Sequence, residues 1–288
     1  MKQRVISGVI IAAVIVCFGL AGGYPLAALM MICSMIGYQE LGRAAGFLES
    51  GEKINILTGL ALGVTVIYYT GLMILAFRWG DQPDRLVLAS DLFTVMVIIA
   101  VFILLMTAYV FTFPRFKAEQ VMAGFFSFVY APVLLSFVYR SRMLPYGIFL
   151  YALIFVCSSV CDTCALAAGM AFGRHKMAPV LSPKKTAEGA VGGMIGSAVC
   201  SLLLAFLAGR MYPEAAFGAA FVIIGICGSL VGMIGDLAAS AIKRNHGIKD
   251  YGNLIPGHGG IMDRVDSILF TAPLITILGV FLLGTAGL

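Results

Sequence analysis

Residues 255–267, IPGHGGIMDRVDS, set a histidine, an arginine and two aspartates among glycines at the edge of a long apolar run. Asp263 and Asp266 are three positions apart, which makes them neighbours on one face of a helix. Carboxylates that close repel unless a cation or the Arg264 guanidinium stands between them, and a hard divalent ion such as Mg²⁺ takes oxygen ligands of this kind. The preceding Pro256, Gly257, His258, Gly259 and Gly260 can turn the chain tightly and bring backbone N–H groups to a helix N-terminus, where an anion is favoured. Together these residues point to a metal ion working beside phosphate.

Three further groups carry the same kind of chemistry. Asp236, Ser240 and Lys243 follow one another at spacings of four and three, so one helical stripe offers a carboxylate, a hydroxyl and an ammonium, with Arg244 next in the chain. Snorkelling at a helix end would explain Lys243 and Arg244 but not Asp236. Asp162, in SSVCDT at 158–163, has apolar sequence on both sides. An ionised carboxylate there costs ~2.5 kcal/mol or more unless it is paired, hydrated or metal-bound. It reads either as part of a functional site or as a protonated group hydrogen-bonded to Ser158 or Ser159. Lys184, Lys185, Thr186 and Glu188, in SPKKTAEG at 182–189, add two ammonium groups, a hydroxyl and a carboxylate. Alone, a lysine pair at a membrane surface is a headgroup anchor or a topology signal; beside the other clusters it reads as a phosphate contact.

The elements that must position these groups are membrane helices. Of 288 residues 61% are hydrophobic and 11% charged, with mean hydropathy +1.01, against roughly 25% charged in a soluble domain. A bilayer removes that much apolar surface from water through helices of ~20 residues each, whereas a β-barrel would show ~10-residue alternating segments, which are absent here. Apolar runs of spanning length lie at about 5–22, 25–42, 54–77, 91–113, 121–139, 146–172, 187–209, 215–243 and 267–287. The fold expected is therefore an all-α integral membrane protein with about nine transmembrane helices. The first run leads at once into more apolar sequence through Ala21, Gly22, Gly23, Tyr24 and Pro25, and is read as a span and not as a cleaved signal.

Nine spans would place 14 of the 19 basic residues on the side of the N-terminus and five, Arg78, Arg85, Arg140, Arg142 and Arg210, on the other. By the positive-inside rule the N-terminus is expected in the cytoplasm and the C-terminus outside. Trp79, Tyr24 and Tyr139 fit an interfacial aromatic belt. No internal repeat is present. Residues 1–145, with about five spans, are hydrophobic with short loops, and residues 146–288, with about four spans, hold nearly all the unusual polar groups, so the catalytic region is expected there. The seven cysteines all lie inside apolar runs. Cys157, Cys161 and Cys164 share a helical face, which suits packing; a soft-metal site would want a histidine nearby, and none accompanies them.

The segment 240–266, SAIKRNHGIKDYGNLIPGHGGIMDRVD, resembles the signature of the phosphatidate cytidylyltransferases, also called CDP-diacylglycerol synthases: Ser-x-x-Lys-Arg, four residues, Lys-Asp, then His-Gly-Gly-x-x-Asp-Arg-x-Asp. Residues 182–189 resemble the same family, and the hydrophobic layout fits along the whole chain. The sequence departs from the family at Cys164, where a glycine is expected after Asp162 and Thr163. The resemblance implies the reaction of CTP with phosphatidic acid to give CDP-diacylglycerol and pyrophosphate, with Mg²⁺ required and a monovalent cation such as K⁺ compatible with the site. The nucleophile would be a lipid phosphate oxygen attacking the α-phosphorus of CTP, so charge neutralisation and positioning must supply the acceleration and no nucleophile–base pair is needed.

On this resemblance Asp263 and Asp236 hold Mg²⁺ with help from Asp266 or Asp162. Lys243 and Arg264 act on the reacting phosphates, and His258 contacts a phosphate or the leaving pyrophosphate. Lys184, Lys185, Thr186, Ser240, Arg244, Lys249, Gly259 and Gly260 form the substrate contacts. Asp250 either orients Lys249 or binds metal. The partners implied are CTP, phosphatidic acid and the bilayer of the cell's inner membrane, with the site facing the cytoplasm; no nucleic acid is expected and a homodimer stays open. Two other classes compete. A cation-coupled transporter could use Asp162 and Asp236 as ion sites, but would show two related halves and a mid-bilayer site. A different Mg²⁺-dependent phosphotransferase acting on CDP-activated lipids would space its aspartates differently and has no reason for the motif at His258.

Overall fold

With no water in the hydrocarbon region, each apolar run must satisfy its own backbone, and it does so as a helix. A computed structural model describes residues 2–48, 54–213, 216–255, 257 and 259–284. Among them the helices are α1 (Lys2–Ala21), α2 (Gly23–Ala44), α3 (Ile56–Trp79), α4 (Pro83–Thr112), α5 (Ala118–Met143), α6 (Gly147–Phe172), α7 (Ala187–Met211), α8 (Gly218–Asn245) and α9 (Met262–Leu283). The seven from α3 to α9 are long and apolar enough to cross a membrane. The protein is thus an all-helical, multi-pass membrane protein. Between α6 and α7 an antiparallel hairpin joins β1 (Lys176–Ala178) to β2 (Ser182–Thr186).

The helices follow the apolar runs, and they differ most where polar residues open a helix. α4 starts at Pro83 and α9 at Met262, each several residues before its apolar run. Proline at N1 and the acids Asp84 and Asp263 in the first turns favour a helix start but are invisible to a count of apolar residues. α5 and α6 each contain a wider π-helical stretch, Val129–Val133 around Pro132 and Val156–Val160 just ahead of Asp162. Proline lacks the N–H that an α-helical turn would need, which accounts for the first of these.

Two compact units emerge. The first comprises residues 1–139 and 246–264, the second 140–245 and 265–288. In the first unit α2, α3 and α4 pack around Tyr68 and Tyr69, both fully buried. The Tyr68 hydroxyl bonds Thr94 Oγ1 at 3.0 Å and Ser136 Oγ at 2.9 Å, and Ser34 bonds Tyr69 at 2.8 Å. Lipid offers no hydrophobic drive for helix pairing, so such polar contacts and close packing must supply it. The second unit uses small residues for the same end. A Cβ on Gly192 would strike Ala168, on Gly193 Cys161, on Gly196 Cys164, and on Gly228 Cys157. The glycines let α6, α7 and α8 approach, and the three cysteines of α6 fill the space: they are packing groups.

Candidate active site

In the second unit the β1–β2 hairpin delivers the lysine pair. Its register sets Lys176 opposite Thr186 and Ala178 opposite Ser182. Thr186 ends the hairpin and caps α7, its Oγ1 accepting the Gly189 N–H at 3.1 Å. Glu188, in the first turn of α7, accepts the backbone N–H groups of Arg174 at 3.1 Å and His175 at 3.2 Å and meets His175 Nδ1 at 2.6 Å. That carboxylate clasps the start of the hairpin to the start of α7.

Lys185, half-buried, is ion-paired with Asp236 Oδ2 on α8. Both line a cavity of about 570 Å³ together with Asp162, Lys176, Lys184 and Thr186. Leu166, Met170, Met177 and Met233 also line it. Asp162, in the turn after the π-helical stretch, is exposed. Asp266 is half-buried on α9, its Oδ1 accepting the Ser267 N–H at 2.9 Å, and the charges acting on it are those of Asp236, Lys243 and Asp162. Gly235 explains the approach of Asp236 to Asp266: a Cβ there would lie 2.9 Å from the Asp266 carbonyl oxygen. Ser240 lies one turn beyond Asp236, and Lys243 and the exposed Arg244 occupy the last turn of α8.

Carboxylate oxygens without soft ligands are the kind of donor Mg²⁺ takes. Among the described residues no three His, Cys, Asp or Glu side chains gather as a metal cage. Mg²⁺ keeps several waters and takes substrate phosphates, so one or two carboxylates such as Asp236 and Asp266 suffice for it. Lys184 and Lys185 bring positive charge to the same cavity.

In the first unit the glycine segment is held by two carboxylates. Asp263, 6% exposed, accepts the Tyr251 N–H at 2.8 Å and the Gly260 N–H at 3.0 Å, both on Oδ2. Glu40, 2% exposed on α2, accepts the Ile261 N–H at 3.0 Å and the Met262 N–H at 2.9 Å. The amides at the start of α9 that looked like a seat for phosphate are therefore already filled by protein carboxylates. Gly259 has φ +84°, and a Cβ on it would meet Asp263 Oδ2 at 2.8 Å; at Gly260 a Cβ would strike the Glu40 carboxylate. Lys249, Asp250 and Arg264 are exposed. His258 lies outside the described residues. Glu40 is the group that the motif reasoning missed. Its signal was present: a carboxylate inside the apolar run 25–42, the same feature that drew attention to Asp162.

Comparison with known proteins agrees with the motifs. The model of the cytidylyltransferase family matches residues 2–282. A phosphatidate cytidylyltransferase of Staphylococcus saprophyticus is 32% identical over 285 residues, covering 96% of this chain and 98% of the relative. One of Staphylococcus aureus is 31% identical over 279 residues, covering 96% and 98%, and one of Haemophilus influenzae 27% identical over 281 residues, covering 95% and 96%. A motif near the C-terminal end, a helical membrane architecture and end-to-end similarity converge, and the chain belongs to the cytidylyltransferase family.

Proposed function

We propose that this protein is a phosphatidate cytidylyltransferase, converting CTP and phosphatidic acid to CDP-diacylglycerol and pyrophosphate. The observation that carries the reading is the mixed lining of the cavity in the second unit, where Asp162, Asp236, Lys184 and Lys185 stand among Leu166, Met170, Met177 and Met233. A lipid phosphate and a nucleotide need the charged groups, and the apolar part of a lipid needs the others. Its volume of about 570 Å³ lies within the range of ~300–1,000 Å³ usual for small-molecule sites.

In this reaction a phosphate oxygen of the lipid forms a bond to the α-phosphorus of CTP as the bond from that phosphorus to the β-phosphate oxygen breaks. Pyrophosphate leaves with the electron pair. No side chain has to give up or take a proton for this, because the lipid phosphate is ionised at neutral pH. Asp236 and Asp266 would hold Mg²⁺, which when bound neutralises charge on the phosphates; Asp263, the other ligand read from the motif, has its Oδ2 on the Tyr251 and Gly260 N–H groups and is assigned to holding the glycine segment. Lys185 exchanges its contact with Asp236 for a phosphate oxygen, and Lys184, Lys243 and Arg244 share the remaining charge. Lys249 and Arg264 are assigned to phosphate from the sequence motif. The preorganised positive groups do the work that solvent reorganisation would do in water.

We further infer nine crossings, with the N-terminus cytoplasmic, the C-terminus outside and the site at the cytoplasmic face of the inner membrane. The charge asymmetry of 14 basic residues against five supports this. The test is CDP-diacylglycerol formation from labelled CTP and phosphatidic acid by purified protein in detergent, with and without Mg²⁺, beside Asp236→Asn. Mg²⁺-dependent product that is lost in the folded variant bears the reading out. Folded wild-type protein that makes no product with both substrates and Mg²⁺ sinks it.

A further inference from the structure

The start of α9 has no cap of its own. Gly260 and Ile261 precede Met262, and neither offers a side-chain oxygen for the first amides of the helix. Those amides are satisfied from another element altogether. Glu40 reaches over from α2, with one carboxylate oxygen on Ile261 and the other on Met262. It does so inside the protein, at 2% exposure, where a carboxylate is costly unless its oxygens are bonded. The charged groups acting on it are Asp263 and Arg43. The negative charge also meets the positive end of the helix dipole.

The fit is specific to a carboxylate. Two adjacent N–H groups, each on its own oxygen, require two acceptors, and a glutamine in the same place would turn an NH₂ group toward one of them. Space is equally tight: a Cβ on Gly252 would come 2.5 Å from Glu40 Oε1, and one on Gly260 would strike the same carboxylate. Glu40 thus touches both ends of the turn from Tyr251 to Met262. Asp263 fastens the same turn from within, through Tyr251 and Gly260.

We propose that Glu40 is a positioning residue for cytidylyl transfer: it caps α9 from another helix and thereby fixes the segment that follows Lys249 and leads into Asp263 and Arg264. The proposal rests on the cytidylyltransferase reading above. Glu40 touches no substrate in this role. It acts through the backbone of Ile261 and Met262, and misplacing groups on that segment by about 1 Å is worth on the order of 100-fold in rate.

The experiment compares wild type with Glu40→Gln, Glu40→Ala and Gly252→Ala in CDP-diacylglycerol formation, and follows amide hydrogen exchange in the same preparations. Glu40→Gln is expected to lower kcat on the order of 100-fold with KM for CTP changed less than about threefold. Exchange should accelerate in peptides covering residues 251–263 and stay at wild-type rates in the other helices. Gly252→Ala crowds the same carboxylate and is expected to lower kcat as well, while Gly252→Ala combined with Glu40→Ala should be no worse than Glu40→Ala alone, because the crowded group is gone. Glu40→Gln with wild-type kcat, or with unchanged exchange at 251–263, overturns the assignment. A uniform rise in exchange throughout the chain also overturns it, since that marks a merely structural glutamate; should Glu40→Gln fail to fold, the Gly252→Ala arm decides by the same two readouts. A folded wild type that makes no product overturns the functional reading, whereas an active wild type with an equally active Glu40→Gln overturns only the role of Glu40.

Discussion

The Lys185 ammonium rests against the Asp236 carboxylate, tying strand β2 to helix α8 along the wall of one cavity. The two side chains are 24% and 26% exposed, but the Lys185 nitrogen itself is buried, so the cost of taking its charge out of water offsets much of what the contact gives to stability. Its consequence is chemical. Lys185→Met and Asp236→Asn are each expected to lower kcat/KM about 100- to 1,000-fold, the size of losing one preorganised charge at a transition state, while the melting temperature moves by only a few degrees. The double variant should fall well short of the product of the two losses, because the residues act as one unit. Fully multiplicative losses in steady-state kinetics would show that they act apart.

Asp266 belongs with Asp236 by electrostatics, and their oxygens suit a hydrated magnesium ion. Titrating Mg²⁺ at fixed CTP should show half-saturation shifted upward by about tenfold or more in Asp266→Asn and Asp236→Asn, as for the loss of a metal ligand or its close support. Lys184→Ala should instead raise KM for CTP and leave the Mg²⁺ dependence in place. Equal Mg²⁺ curves in wild type and both asparagine variants would remove these carboxylates from the metal.

Cys164 stands where a glycine is expected in the family signature, and it packs toward Gly196 of α7. Cys164→Gly should therefore keep activity within about twofold and lower stability by roughly 1 kcal/mol, the helical cost of glycine. Parallel assays of turnover and thermal unfolding test both halves. A large loss of turnover would place Cys164 in the chemistry.

The inferred topology puts Asp81 and Lys117, which flank α4, on opposite sides of the membrane. In a cysteine-free background, Asp81→Cys should react with an impermeant thiol reagent in intact cells. Lys117→Cys should react only after permeabilisation. The same pattern at both positions would mean that α4 does not cross.

Much of the protein was legible one residue at a time. The cost of leaving backbone groups unbonded in lipid forces each apolar run into a helix, so composition determined the all-helical class and the apolar runs determined nearly all helix positions. Spacing put Asp236, Ser240 and Lys243 on one stripe, apolar flanks singled out Asp162, and the company of the other clusters singled out the lysine pair. What the sequence could not decide is which groups meet across the fold. Lys185 and Asp236 are far apart in the chain, and only the hairpin clasped by Glu188 and the bare Gly235 surface bring lysine, Asp236 and Asp266 into range. The glycine segment showed the reverse. Its free amides looked like a phosphate seat because local sequence carries no record of Glu40, whose separation from Met262 is 222 residues. A helix start is satisfied by whichever acceptor the tertiary structure delivers, and that choice is made by packing, which no local spacing encodes.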